Sequence, residues 1–258
     1  MTKLPVVRLV RHAYLDAIGN ARGLFQVGGL WLLLSWALLL LARNGSVFFM
    51  AAADLAVTVG AAAIAVAWHR HILLNEPLTK RMAPLDARVA RYFVLTVLVA
   101  LLMSTVPALV FVLSGGAFLA AGPGAAAPGL GPLLSGPLAA LVCLYLALRL
   151  QLVFPATAIG DETTTFRRSW ELTRGHGWRL LLGFLLIALP VAAVTIGLAI
   201  LLNRAAEATG SLAVSALADL AAVGNAWLQA PLIASFLSYV YTWCREQKAL
   251  PPPSGPWG

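Results

Sequence analysis

Charge is what this sequence has least of. Only 11% of its 258 residues are Asp, Glu, Lys or Arg, against about 25% in an ordinary soluble domain. With 60% hydrophobic residues and a mean hydropathy of +0.86, too little charge remains to cover a water-facing surface, and the solvent must be lipid. Cysteine is nearly missing as well. Cys143 lies inside an apolar run and Cys244 follows one, which excludes a disulfide-stapled fold and argues against a bridge between the two. Acidic residues number 10 against 18 basic ones. The resulting charge of +8 comes with no basic recognition helix and no aromatic RNA-binding motif, so nucleic acid is not an expected partner. Catalytic signatures are lacking too: there is no P-loop, no His-Glu-x-x-His and no Gly-x-Ser-x-Gly. Gly175-His176-Gly177 follows no strand and lacks the third glycine of a dinucleotide fingerprint. His69 and His71 are two apart, which points them to different sides of a helix. Even with Glu76 and His176 nearby they make a poor metal set. No enzyme activity, cofactor or metal is expected, and no nucleophile, base and metal ligands converge on an intramembrane catalytic centre.

What the chain has is long apolar runs. Six are long enough to cross a bilayer, which takes about 20 residues: about 23–42, 47–68, 92–113, 133–154, 178–202 and 225–243. The fold class expected is all-α, a six-span helical membrane bundle forming one integral domain over residues 1–249. The first run is read as a retained helix, because Ala42-Arg43-Asn44-Gly45-Ser46 offers no convincing signal-cleavage site. Of the 18 basic residues, all fall in alternate gaps between the runs or, as Arg149 and Arg179, just inside the run ends that border those gaps, except Arg43 and Arg204. Basic residues are retained on the cytoplasmic side, so both termini are placed in the cytoplasm. Arg outnumbers Lys 15 to 3, a bias of high-GC bacterial genomes, and the expected location is a bacterial inner membrane. Charge at that face suits anionic headgroups of the lipid bilayer.

The connections differ in character. Residues 4–20 form an expected interfacial helix with an apolar stripe Val7, Val10, Tyr14, Ile18. A second, 164–175, puts Phe166, Trp170 and Thr173 on one face and the spaced pair Arg167 and Glu171 on another, with Gly175 as its stop. Segment 114–132 is uncharged and rich in Gly, Ala and Pro, and reads as a mobile external loop; the tail 250–258 reads as disordered. The stretch from Ser211 to Trp243 is too long for one upright span, and Gly224-Asn225 is the expected break between an outer helix and the sixth span. Pro107, Pro155 and Pro190 are candidate kinks. Arg11-His12-Ala13-Tyr14 aligns with Arg167-Arg168-Ser169-Trp170 at a shift of 156, and Trp68-His69-Arg70 echoes Trp243-Cys244-Arg245. A parallel internal repeat would explain both echoes; so would convergence on the needs of cytoplasmic hairpin ends.

Two groups of residues stand out. Asp54 lies about eight residues into the second span, roughly 12 Å along the helix, where a charge is costly and is paired, protonated or facing water. Asp219, Asn225 and Gln229 follow in the last apolar stretch; if their face met Asp54, a polar external cavity for a small transporter or channel would result. The bland reading is local polar contacts between helices, which average only about 0.6 kcal/mol. The second group is a basic and aromatic platform at the cytoplasmic face for lipid or a partner: Arg11, Arg22, Arg70, Arg167, Arg168, Trp170, Trp178, Arg179 and Arg245. Small-residue runs such as Gly60-Ala61-Ala62-Ala63 allow close helix packing and are compatible with a homo-oligomer.

Trp68-His69-Arg70-His71-Ile72-Leu73-Leu74, Phe154-Pro155-Ala156 and Ser169-Trp170-Glu171-Leu172-Thr173-Arg174-Gly175-His176-Gly177-Trp178-Arg179 together form a pattern. It resembles the multi-helix membrane domain attached to some bacterial glycerophosphodiester phosphodiesterases, and related stand-alone bacterial inner-membrane proteins of uncharacterised activity. The resemblance implies a six-helix bundle. The activity of the fused enzymes belongs to a soluble barrel whose His-Arg-Gly and Glu-x-Asp elements have no counterparts in these residues, so no catalytic residue carries over. The functional expectation is a non-enzymatic accessory or scaffold of the cell envelope, with the transporter as the alternative.

Overall fold

A computed structural model describes residues 3–78, 86–113 and 130–247. Most of the segment 114–132 and the tail 250–258 lie outside the described residues. Among those described the chain is all helix: α1 Val6–Gly19, α2 Ala21–Ala42, α3 Val47–Leu74, α4 Ala87–Leu113, α5 Leu130–Leu150, α6 Val153–Ile159, α7 Phe166–Leu172, α8 Gly177–Thr209 and α9 Leu212–Gln247. Six stretches are long and apolar enough to cross a membrane, the pattern of a multi-pass membrane protein; α5 and α6 together make the fourth. Three antiparallel hairpins result, α2–α3, α4–α5 and α8–α9. The ends that carry most of the basic residues gather at one pole, called basal below.

The α2–α3 and α8–α9 hairpins pack face to face and form the centre, with α9 touching α2, α3 and α8. Lipid is as apolar as leucine, so close van der Waals fit, not exclusion from water, holds such helices together. The sequence provides the fit through small residues. A Cβ on Gly60 would lie 2.7 Å from the Trp31 Cβ, and one on Gly183 would lie 2.6 Å from Phe236 Cε2. Ala62, Ala63 and Ala67 of α3 are buried beside them, so the Gly60–Ala63 run is used for packing within the chain. The α4–α5 hairpin is looser: only Val89 and Tyr92 of α4 are buried.

Several expectations need correction. The stretch 212–247 does not break at Gly224-Asn225; α9 runs through it as one helix of 36 residues, about 54 Å at ~1.5 Å per residue. Glycine costs a helix only about 1 kcal/mol, whereas an open backbone group in hydrocarbon costs several. Asn225 satisfies its side chain elsewhere, accepting from Thr195 Oγ1 and Gln229 Nε2, each at 2.8 Å. Likewise α8 continues to Thr209, beyond the expected end near residue 202, before Gly210 turns the chain at φ 64°. The stripe assigned to the first helix is also shifted. Val6, Leu9, Val10 and Ala13 are buried on α8 and α9, while Val7 and Ile18 are 74% and 72% exposed. The exposed face mixes Val7, Leu15 and Ile18 with Arg8, Arg11 and His12, and apolar residues on both sides of the helix let a stripe be drawn through the wrong one. The second interfacial helix is short, spanning only seven residues, with Thr165 capping it by accepting from the Arg168 N–H.

Two of the three expected proline sites are visibly compensated. Pro155 follows a break between α5 and α6, where Ser169 Oγ accepts from the Leu152 N–H at 3.2 Å and donates to the Arg149 carbonyl at 2.8 Å. Pro190 stays inside α8. It has no N–H for the Leu186 carbonyl, and the Tyr14 hydroxyl of α1 reaches Leu186 O at 3.3 Å and Ile187 O at 3.2 Å.

Gly183→Leu is expected to drive a side chain into Phe236 and cost about 1–3 kcal/mol, read as a lower unfolding midpoint in detergent. The same change at Gly29, where a Cβ meets nothing within 4 Å, is expected to have little effect.

Candidate functional site

Among the described residues, the expected external polar group does not come together around Asp54. Asp219 is taken by Arg43 of the α2–α3 turn, with Nε to Oδ2 at 2.8 Å and Nη2 to Oδ2 at 2.6 Å. Arg43 also donates to Ser215, and the Trp36 indole donates to the Ala216 carbonyl at 2.8 Å. These contacts strap the far end of α9 to the end of α2. Asn225 and Gln229 do meet, but against Thr195 of α8 and not against Asp54. Asp54 is exposed on α3. Its backbone carbonyl accepts from Thr58 at 2.8 Å, and its carboxylate has no partner among the described residues.

The polar density lies instead at the basal pole, and its centre is Asp161, which the sequence did not single out. Asp161 sits just beyond α6, where Gly160 takes φ 76° to end the helix. It is 5% exposed. Its Oδ1 accepts from the Thr163 N–H at 2.9 Å and the Thr163 hydroxyl at 2.6 Å; its Oδ2 accepts from Thr164 at 2.8 Å, from Arg245 Nη1 at 2.7 Å and from the Tyr241 hydroxyl. Burial alone pushes this carboxyl up, but the hydrogen bonds from Thr163, Tyr241 and Thr164 outweigh it and hold Asp161 below the ordinary carboxylate value. The last turn of α9 is thereby locked to the end of α6. Arg245 is spent in this contact, so it is no part of an open platform.

A second buried set lies one layer deeper. The Trp68 indole donates to Ser235 Oγ at 2.8 Å, and the His69 ring bonds Ser238 at 2.7 Å through Nδ1 and Tyr92 at 3.3 Å through Nε2. These groups tie α3 and α4 to α9. Arg70 pairs with Glu76 (Nε to Oε2, 2.8 Å), and the His71 Nδ1 lies 2.7 Å from the Glu76 carbonyl. Arg70 too is therefore mostly internal. Both rings of the His-x-His motif make structural hydrogen bonds.

The remaining platform residues divide. Arg167 and Arg168 stay at the surface and share Glu171, at 3.2 Å each; their hydrogen bonds lower the Glu171 carboxyl. Arg149 lies 3.5 Å over the Trp170 ring and donates to the Trp170 carbonyl at 2.9 Å, a contact of the cation–π kind. Arg179 donates to the Leu4 carbonyl at 3.1 Å and anchors the start of α1. Trp178 is 69% exposed beside Tyr145. Arg11 and Arg22 remain exposed. The sequence had no way to point to Asp161, Ser235 or Ser238, whose partners lie 80 to 169 residues away.

Breaking a buried pair is costly because one charge is left uncompensated, by about 3–5 kcal/mol. Arg245→Met is expected to destabilise the protein on that scale, and Arg245→Met with Asp161→Asn to recover part of the loss, both read by unfolding in detergent. The pH dependence follows from the lowered Asp161 value: its contribution is complete above the ordinary value of 3.8 and is lost as pH falls through the lower folded value. Asp161→Asn is expected to flatten that acid limb. Comparison with family models, with curated proteins and with solved structures returns no match for this chain.

Proposed function

We propose that this chain is a non-enzymatic multi-pass protein of a bacterial inner membrane, an accessory or scaffold of the cell envelope, with its basal pole and both termini in the cytoplasm. The observation that carries the reading is how the polar groups are used. Asp219 is held by Arg43, Asn225 by Thr195 and by Gln229 of its own helix, His69 by Ser238, and Asp161 by Arg245. Exposed along α1 and at the start of α2 is positive charge beside apolar side chains: Arg8 and Arg11 with Val7, Leu15 and Ile18, followed by Arg22. That combination suits an anionic headgroup layer, with the apolar side chains in the acyl boundary. The resemblance to the membrane domain of the phosphodiesterases is in keeping with a six-helix bundle.

The transporter reading loses Asp219 to Arg43 and rests on Asp54 alone. In proteoliposomes, Asp54→Asn is expected to leave every activity of the protein unchanged. A pH-linked solute flux that this substitution abolishes would sink the accessory reading and establish transport. For the basal face, replacing Arg11, Arg22, Arg167 and Arg168 with Gln is expected to reduce co-purification of anionic lipid or a protein partner without lowering the unfolding midpoint; unchanged co-purification would remove that role.

A further inference from the structure

A groove of about 540 Å³ runs between the start of α4 and the α6–α7 connection, within the roughly 300–1,000 Å³ range of small-molecule sites. One wall carries Arg91, Val94 and Leu95; the other carries Val153, Thr157 and Glu162. The two walls run in opposite chain directions, because α4 leaves the basal pole where α6 approaches it. Both nevertheless change polarity in the same sense. Arg91 is basal and Val94 and Leu95 lie one turn deeper; Glu162 is basal, Thr157 is next and Val153 is deepest. The groove is therefore charged at its basal end and apolar toward the bilayer interior.

The charges at that end have opposite signs, and among the described residues both are unpaired. Arg91 and Glu162 are exposed and form no ion pair with each other or with any other described residue. The neighbouring Asp161 and Thr164 are already committed to each other, with Asp161 also held by Arg245. A site with one free cation, one free anion, a hydroxyl below them and an aliphatic floor matches an amphiphile with a zwitterionic head. We infer that this groove binds a phospholipid whose head carries a phosphodiester and a primary ammonium, of the phosphatidylethanolamine type. Arg91 takes the phosphate, Glu162 the ammonium, Thr157 the glycerol-ester region, and Val94, Leu95 and Val153 the upper acyl chain. The inference rests on the membrane reading of the chain with this pole at the cytoplasmic leaflet, and gives its lipid contact a specific head group beyond general attraction to anionic lipid.

The test is native mass spectrometry of the protein released from nanodiscs of equal phosphatidylethanolamine and phosphatidylglycerol. Wild type is expected to retain one phosphatidylethanolamine per chain in preference to phosphatidylglycerol. A charge-assisted hydrogen bond contributes about tenfold in such a preference. Glu162→Gln is expected to erase the preference while phosphate binding persists, and Arg91→Gln to weaken retention of both lipids. Neither side chain has a partner among the described residues, so both variants should keep the wild-type unfolding midpoint. A measurement on wild type alone gives the same answer by another route: phosphatidylethanolamine with its amine acetylated should be retained about as poorly as phosphatidylglycerol. Equal retention of the two lipids by wild type, preferred retention of phosphatidylglycerol, or a preference unchanged in Glu162→Gln would overturn the site. A flux abolished by Asp54→Asn would sink the accessory reading and leave this groove standing, so the two failures are distinguishable.

Discussion

A backbone amide or carbonyl inside a bilayer has no water to turn to, and the rest of this structure is arranged around that condition. Unbroken helices meet it automatically. At the α5–α6 break and at Pro190 inside α8, a backbone group loses its helical partner and a side chain from a distant segment fills the gap. Ser169 and Thr173 of the α7 segment serve the end of α5: both hydroxyls reach the Arg149 carbonyl, at 2.8 and 3.1 Å. Tyr14 serves the carbonyls above Pro190. The short helices α1 and α7 are thus tied into the bundle through the very groups that the spans leave open. The same condition explains why α9 is continuous through Gly224 and why Asn225 turns to Thr195 and Gln229.

The basal pole adds a second layer to this logic. Its network is built from residues that would be expensive to bury singly: Asp161, Arg245, His69 and Trp68. Each is placed against hydroxyls, since Ser235, Ser238, Thr163, Thr164, Tyr92 and Tyr241 supply most of the partners. A hydroxyl donates and accepts, so it can complete either sign of neighbour without adding a charge. The groove between α4 and α6 lies at the border of this network, where the committed Asp161 gives way to the uncommitted Glu162 one residue later.

Legibility in the sequence followed the range of the interaction. The six apolar runs, the charge alternation and the arrest near Pro155 depend on neighbours a few residues apart, and a one-dimensional reading finds them. Gly175, at φ 83°, likewise ends its segment as glycine is expected to. The pairing of Asp219 with Arg43 was not legible, because an acid deep in an apolar run looks the same whether a base or a cavity faces it. The buried face of α1 failed for a different reason. Val6 and Val7 are the same residue type side by side, and only the position of α8 and α9 decides which of them is inside. Arg245 looked like a terminal interfacial charge because its acid lies 84 residues earlier.

The anchoring of α1 also dictates an order of events. Helix α1 finds its buried face on α8 and α9, and its Tyr14 partner lies 172 residues further along. Until the α8–α9 hairpin is in place, Val6, Leu9, Val10 and Ala13 lack the main surface that buries them. Contacts this far apart in sequence are slow to form, so the seat of α1 is completed only once the α8–α9 hairpin is in place.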